Sequence, residues 1–228
     1  MVTINLDNLS IIGTSHISRE SINEVRSFIL NENPDIIALE LDPLRFDALL
    51  NPEKKKISLS DIKVVGFKGY LFSIIGSLVQ KKLGKIVGVD PGSEMVTAIN
   101  LALKNKKELC LIDQDIRVTL KRLSQLITFK EKARLFFDLI RSPFVKRIEG
   151  IEISRFDLNK VPESEFISVV LKILRQRYPS FHKALIEERN NVIAKNLNRI
   201  KAQYSNKKIL AVVGAGHLDG LISLLRSG

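Results

Sequence analysis

Short apolar runs rich in β-branched residues alternate along the chain with longer stretches whose apolar positions recur every three to four residues. Runs of the first kind near Leu9–Gly13, Asp35–Leu41, Lys85–Val89, Glu108–Ile112 and Lys208–Val213 predict five strands. Helices are predicted in the intervals. One starts at Ser18 and Ser21 and runs to about Leu30, where Asn31-Glu32-Asn33-Pro34 ends it. Pro91-Gly92-Ser93-Glu94 reads as a turn into another, with Met95, Ile99, Ala102 and Leu103 as its inward stripe. Strand, helix and strand in succession predict an α/β fold: a mostly parallel central sheet flanked by helices. From about 116 to 207 strand signals almost vanish, while Phe166, Val169, Val170, Ile173 and Leu174 repeat on one helical face. The expectation is a single domain over 1–228 with a helical insertion before its last strand.

Composition narrows the class. The 228 residues are 45% hydrophobic and 27% charged, enough for one sizeable core and far from disordered compositions. The lone cysteine, Cys110, excludes an internal disulfide and a cysteine-based zinc site, and its place inside a strand makes it a core residue. Lys and Arg number 36 against 25 acids, a balance that suits an anionic partner such as nucleic acid or a lipid surface and identifies neither. Leu120–Gly150 holds eight basic residues against three acids, and Lys195–Lys208 five against none, so the excess sits on helices. With no tryptophan, the chain is poorly supplied for stacking single strands, and no nucleic acid is expected.

The N-terminus has neither the basic start nor the apolar run of a signal peptide. The longest apolar stretch, Tyr70–Val79, is about half of the ~20 residues that a spanning helix needs; it needs cover from its own core or from a partner, and a homodimer is the expected assembly. Leu218–Leu225 is an apolar helical pattern ending without a cap, which suggests a piece of a longer protein.

Two of the three histidines share one local setting, a strand-like run, then Gly-x-x-His, then a helix: Gly13-Thr14-Ser15-His16 and Gly214-Ala215-Gly216-His217. In a parallel sheet, residues just past the strands' C-terminal ends open into one crevice, so these histidines are expected to be spatial neighbours. Acids follow the other strands: Glu40 and Asp42, Asp90 and Glu94, Asp113 and Asp115. Two neutral imidazoles with a carboxylate suit a divalent ion such as Mn²⁺, Co²⁺ or Zn²⁺ and leave a position for hydrolytic water. His16, His217, Glu40 and Glu94 are the candidate ligands. Asp90, Asp113 and Asp115 are more simply read as helix caps or ion-pair partners. Arg45 and Arg189 are within reach of such a crevice, as candidates for stabilising an oxyanion; Arg117 is weighed beside them. His182, with no glycine turn before it, reads as structural or surface. Val212-Val213-Gly214-Ala215-Gly216 starts like a dinucleotide-binding turn, but its third glycine, Gly220, is one position late and too few residues follow for a ribose-binding acid.

These residues, with Ile-Ala-Leu-Glu-Leu-Asp-Pro-Leu-Arg-Phe at Ile37–Phe46, Gly-Phe-Lys-Gly-Tyr-Leu at Gly66–Leu71, Pro-Gly-Ser-Glu-Met at Pro91–Met95, Ile-Asp-Gln-Asp-Ile-Arg at Ile112–Arg117 and Glu-Arg-Asn at Glu188–Asn190, resemble the TraB/PrgY family. These are the pheromone-shutdown proteins, relatives of the Tiki metalloproteases. The resemblance covers essentially the whole chain. It implies an erythromycin-esterase-like or ChaN-like fold and a metal-dependent peptidase acting on short signalling peptides. His16 and His217 would be metal ligands, Glu40 their acidic partner, and Arg45 and Arg189 substrate- or transition-state-stabilising residues. It also implies a membrane-associated domain whose C-terminal membrane helices lie outside this sequence. The alternatives are a domain that binds and sequesters peptides without turnover, and a module whose basic surface binds anionic lipid or nucleic acid with strong salt dependence.

Overall fold

The computed structural model describes residues 3–14, 19–51, 92–141, 147–148, 151–152 and 163–227. Among them a five-stranded sheet is built from β1 (Thr3–Leu6), β2 (Leu9–Thr14), β3 (Ile36–Leu39), β4 (Glu108–Leu111) and a last strand, Ile209–Gly214. Its order is β1, β2, the last strand, β3, β4, antiparallel only at the β1–β2 hairpin. Four of the five predicted strands are thus present, while Lys85–Val89 and Tyr70–Val79 lie outside the described residues. β1 was not expected. Its Thr-Ile-Asn-Leu alternation is exposed and half-buried by turns, and Asp7, at φ 55°, supplies the left-handed conformation that a two-residue hairpin turn needs.

The last strand is central because it is buried along its whole length, as an apolar run covered on both faces must be. Its side chains alternate between two cores. Ile209, Ala211 and Val213 join Leu9, Ile11, Ile36 and Ala38 against Ile193, Leu197, Leu218 and Leu221. Leu210 and Val212 join Ile12, Ile37 and Leu39 against Val25, Ile29, Met95 and Ile99. The second layer is α1 (Arg19–Glu32) and the helix Ser93–Lys104. α1 ends where Asn33 takes φ 47° ahead of Pro34. In Ser93–Lys104 the inward residues are Met95, Ala98, Ile99 and Ala102, whereas Leu103 is 61% exposed. This corrects the expected stripe: one residue past Ala102 is a rotation of about 100° off that narrow face.

The described residues between β4 and the last strand are mostly helical, with a small antiparallel pair of Arg147–Ile148 and Ile151–Glu152. The helices are Ile116–Leu126, Phe129–Arg141, Glu163–Arg177, Pro179–His182 and Glu188–Gln203, the last two joined by a π-helical turn at Lys183–Glu187. Val170, expected on the inward face of Glu163–Arg177, is exposed. The final helix, Glu188–Gln203, packs with Ala215–Ser227 on the sheet itself, so it serves as the crossover into the last strand. Cys110 lies in β4 as expected and is partly buried against that core.

Candidate functional site

Parallel strands that stop in step bring their following residues together. Gly13 pairs with Val213 and Thr14 with Gly214, so the two Gly-x-x-His segments leave neighbouring strands one residue out of register. On the other side of the last strand, Leu39 pairs with Val212, and Glu40 continues that ladder by donating its N–H to the Val212 carbonyl at 3.1 Å. The buried Glu40 side chain therefore lies across the end of the last strand. Its Oε2 accepts from the Gly214 N–H at 2.5 Å, at the N-terminal end of Ala215–Ser227, where the helix dipole favours an anion.

His217, one turn into that helix and 4% exposed, faces Glu40, with Nε2 3.3 Å from Oε1. Its Nδ1 lies 2.6 Å from Asn190 Oδ1. The neighbouring Arg189 donates Nε–H to Asp113 Oδ1 at 3.0 Å, Nη2–H to Asp113 Oδ2 at 2.6 Å, a further Nη2–H to Glu40 Oε1, and Nη1–H to the Leu185 carbonyl at 3.2 Å. Burial on its own would lower the pKa of this guanidinium, but Glu40 and then Asp113 outweigh it and hold the group above an ordinary arginine. Arg189 is a fixed cation that ties the ends of β3 and β4 together.

Asp42 caps Pro43–Leu50: its Oδ1 accepts from the N–H groups of Leu44 at 2.9 Å and Arg45 at 3.2 Å, and Oδ2 takes Arg45 Nε–H at 2.6 Å. Arg45 Nη2 donates to Asp113, so Asp113 bridges two guanidiniums, with the Gln114 N–H as a further donor at 2.7 Å. The Arg45 side chain is 31% exposed, and its Nη1 makes no hydrogen bond among the described residues. Arg45 is the cation of this cluster with donors to spare.

Of the expected residues, the structure joins Glu40, Arg45, Arg189 and His217. His16 and Asp90 lie outside the described residues. Glu94 is buried in the first turn of Ser93–Lys104, and the contacts named above do not include it. Asp113, read as a cap or an ion-pair partner, is the second, and the hub of the ion pairs. Asp115 does cap Ile116–Leu126, and Arg117 pairs with it there at 2.5 Å, outside the cluster. His182, 5% exposed, holds Glu187 at 3.0 Å across the π-turn, a structural role as expected. Asn190 was missed. Its signal is position: it shares the buried stripe of Ile193, Ala194 and Leu197, where a polar side chain needs a partner.

Among the described residues, no group of three or more His, Cys, Asp or Glu side chains is arranged to hold a metal ion. Two donors of suitable chemistry do converge. Bonds of about 2.0–2.2 Å in a tetrahedral site place neighbouring donor atoms about 3.3–3.5 Å apart. The 3.3 Å between His217 Nε2 and Glu40 Oε1 fits that edge. No helix among the described residues is long and apolar enough to cross a membrane.

The sequence model of the TraB/PrgY/gumN family matches residues 2–227. An uncharacterized protein of Methanocaldococcus jannaschii is 37% identical over 98% of this chain and 54% of its own length. The TraB domain-containing proteins of mouse and human are each 25% identical over 92% of this chain and 61% of theirs. The chain thus spans about half to three fifths of the length of these relatives.

Proposed function

The chain belongs to the TraB/PrgY/gumN family, and from that premise we propose that it is a metal-dependent peptidase acting on short signalling peptides. The observation that carries this reading is the buried convergence of His217 Nε2 and Glu40 Oε1, 3.3 Å apart at the ends of adjacent strands. His217 and Glu40 would hold a Mn²⁺, Co²⁺ or Zn²⁺ ion, with His16 and Glu94 as the further ligands to test. When bound, the ion would supply a Lewis acid for the scissile carbonyl and a water acidic enough to attack it near neutral pH.

The chain's own residues have distinct parts in this scheme. The Gly214 N–H fixes one oxygen of Glu40 and Arg189 steadies the other, which keeps the carboxylate aimed at His217. Glu40 or a neighbouring acid would accept the proton released by the attacking water. Arg45, anchored by Asp42 and Asp113, offers its uncommitted Nη1 donors to the developing oxyanion or to a peptide carboxylate. Arg189 has only one N–H left after its four hydrogen bonds, so its first task is to hold Glu40 and Asp113 in place.

Metal content and affinity, by mass spectrometry and calorimetry, test the proposal in the unaltered chain, His16→Ala, His217→Ala and Glu40→Gln. Binding of one divalent ion, lost in each variant and accompanied by peptide hydrolysis, is the expected result. No uptake of Mn²⁺, Co²⁺ or Zn²⁺, or uptake indifferent to His217→Ala, would overturn it.

A further inference from the structure

Asn190 and Gly220 have no part in the scheme above, yet their fit to each other is among the closest in the molecule. Asn190 is 5% exposed on the first turn of Glu188–Gln203, facing the helix Ala215–Ser227. Its Oδ1 lies 2.6 Å from His217 Nδ1. Its Nδ2 occupies the space above the backbone of Gly220, where a Cβ would come within 2.2 Å. Any side chain at 220 would push the amide away from His217. Gly220 therefore has a packing reason, where the sequence offered only a misplaced third glycine of a nucleotide turn.

A neutral imidazole carries one ring proton, and here two acceptors compete for it: Asn190 Oδ1 at 2.6 Å from Nδ1 and Glu40 Oε1 at 3.3 Å from Nε2. The amide oxygen is at hydrogen-bond distance; the carboxylate oxygen is beyond the usual range and already takes a donor from Arg189. We infer that Asn190, lodged over Gly220, is a positioning residue that holds the ring proton of His217 on Nδ1 and keeps Nε2 as the lone-pair nitrogen facing Glu40. Without it, the carboxylate would draw the proton to Nε2, and that nitrogen would become a donor. The inference rests on the reading of His217 and Glu40 as a ligand pair only for its consequence; the tautomer itself is a property of the metal-free protein.

Long-range ¹H–¹⁵N correlation of the histidine rings in the metal-free chain, at a pH where His217 is neutral, reads the tautomer, with His217→Ala assigning the signal. The unaltered protein is expected to show Nδ1–H and a bare Nε2. Asn190→Ala and Gly220→Ala are expected to move the proton to Nε2, and Asn190→Asp, which keeps an acceptor opposite Nδ1, to retain it. Affinity for Zn²⁺ alone, by calorimetry, should fall about 10–100-fold in Asn190→Ala, as when a partner that orients a ligating histidine is lost. Should Asn190→Ala fail to fold, Gly220→Ala and Asn190→Asp carry the test. A proton on Nε2 in the unaltered protein, or a tautomer unmoved by both alanine variants, overturns the inference. An Nδ1–H tautomer that depends on Asn190 in a chain that binds no divalent ion upholds it and overturns the peptidase reading instead.

Discussion

Arg189 is the side chain whose removal should cost most, and the cost can be worked from its partners. Replacement by methionine keeps an apolar stem of similar length but deletes four hydrogen bonds, three of them to the carboxylates of Asp113 and Glu40. Those side chains are 0% and 3% exposed, so water cannot take over the solvation that the guanidinium provides. Breaking a buried pair in this way costs about 3–5 kcal/mol, against well below ~1 kcal/mol for the same change at a surface pair. In urea unfolding that loss corresponds to a midpoint lowered by about 1–2.5 M, for a slope of about 2–3 kcal/mol/M. Arg189→Lys, which keeps the charge but not the fork, should lose about 1–3 kcal/mol. Asp113→Asn should partly relieve Arg189→Met, because it removes one of the stranded charges; the double variant is then less destabilised than the sum of the two. An Arg189→Met midpoint within experimental scatter of the unaltered protein would refute the placement of Arg189 as the keystone of buried charge.

Three further outcomes follow from other parts of the structure. Burial first, and then the hydrogen bond to Asp138, push the Tyr178 phenol up to about 12 from the usual 10.0. A raised folded value means that its stabilisation is complete below pH 10 and is lost as pH climbs toward 12, so an absorbance titration should show a late phenolate step that Tyr178→Phe removes. Glu131 accepts from Thr128 N–H and Oγ1–H at 2.9 and 2.8 Å and from Ser180 N–H and Oγ–H at 2.8 and 2.6 Å; burial tends to raise its pKa, but these bonds prevail and lower it. Its stabilisation is then present above the unfolded pKa and fades as pH falls through the lower folded value; Glu131→Ala should cost about 2–4 kcal/mol near neutral pH, less in acid, by denaturant titration. Gly92 sits at φ 87°, and a Cβ there would meet Leu49 Cδ2 at 3.1 Å, so Gly92→Ala should lower stability by about 1–2 kcal/mol in the same assay.

What the sequence determined by itself was local. Burial on both faces demands continuous apolar runs, and Leu9–Thr14, Ile36–Leu39 and Ile209–Gly214 were legible for that reason, while the half-buried edge strand Glu108–Leu111 was legible only as a short apolar run. Where a run is short and only half covered, as in Thr3–Leu6, alternation over four residues was too weak a signal. Gly214–His217, Glu40 and Arg45 were identifiable because strand ends in a parallel sheet share one edge, whereas Arg189 reaches that edge from a helix of the insertion. Partnership is a different quantity, set by the order of strands and the angle at which helices arrive. Asp113 lies in the sequence where a cap would lie, and only the approach of Arg45 and Arg189 from two other elements made it a hub. The π-turn at Lys183–Glu187 rotates the following helix, and from there Arg189 meets β3 and β4 while Asn190 meets His217. Spacing along a chain carries no record of such long-range contacts, because they are decided by which surfaces must be buried together.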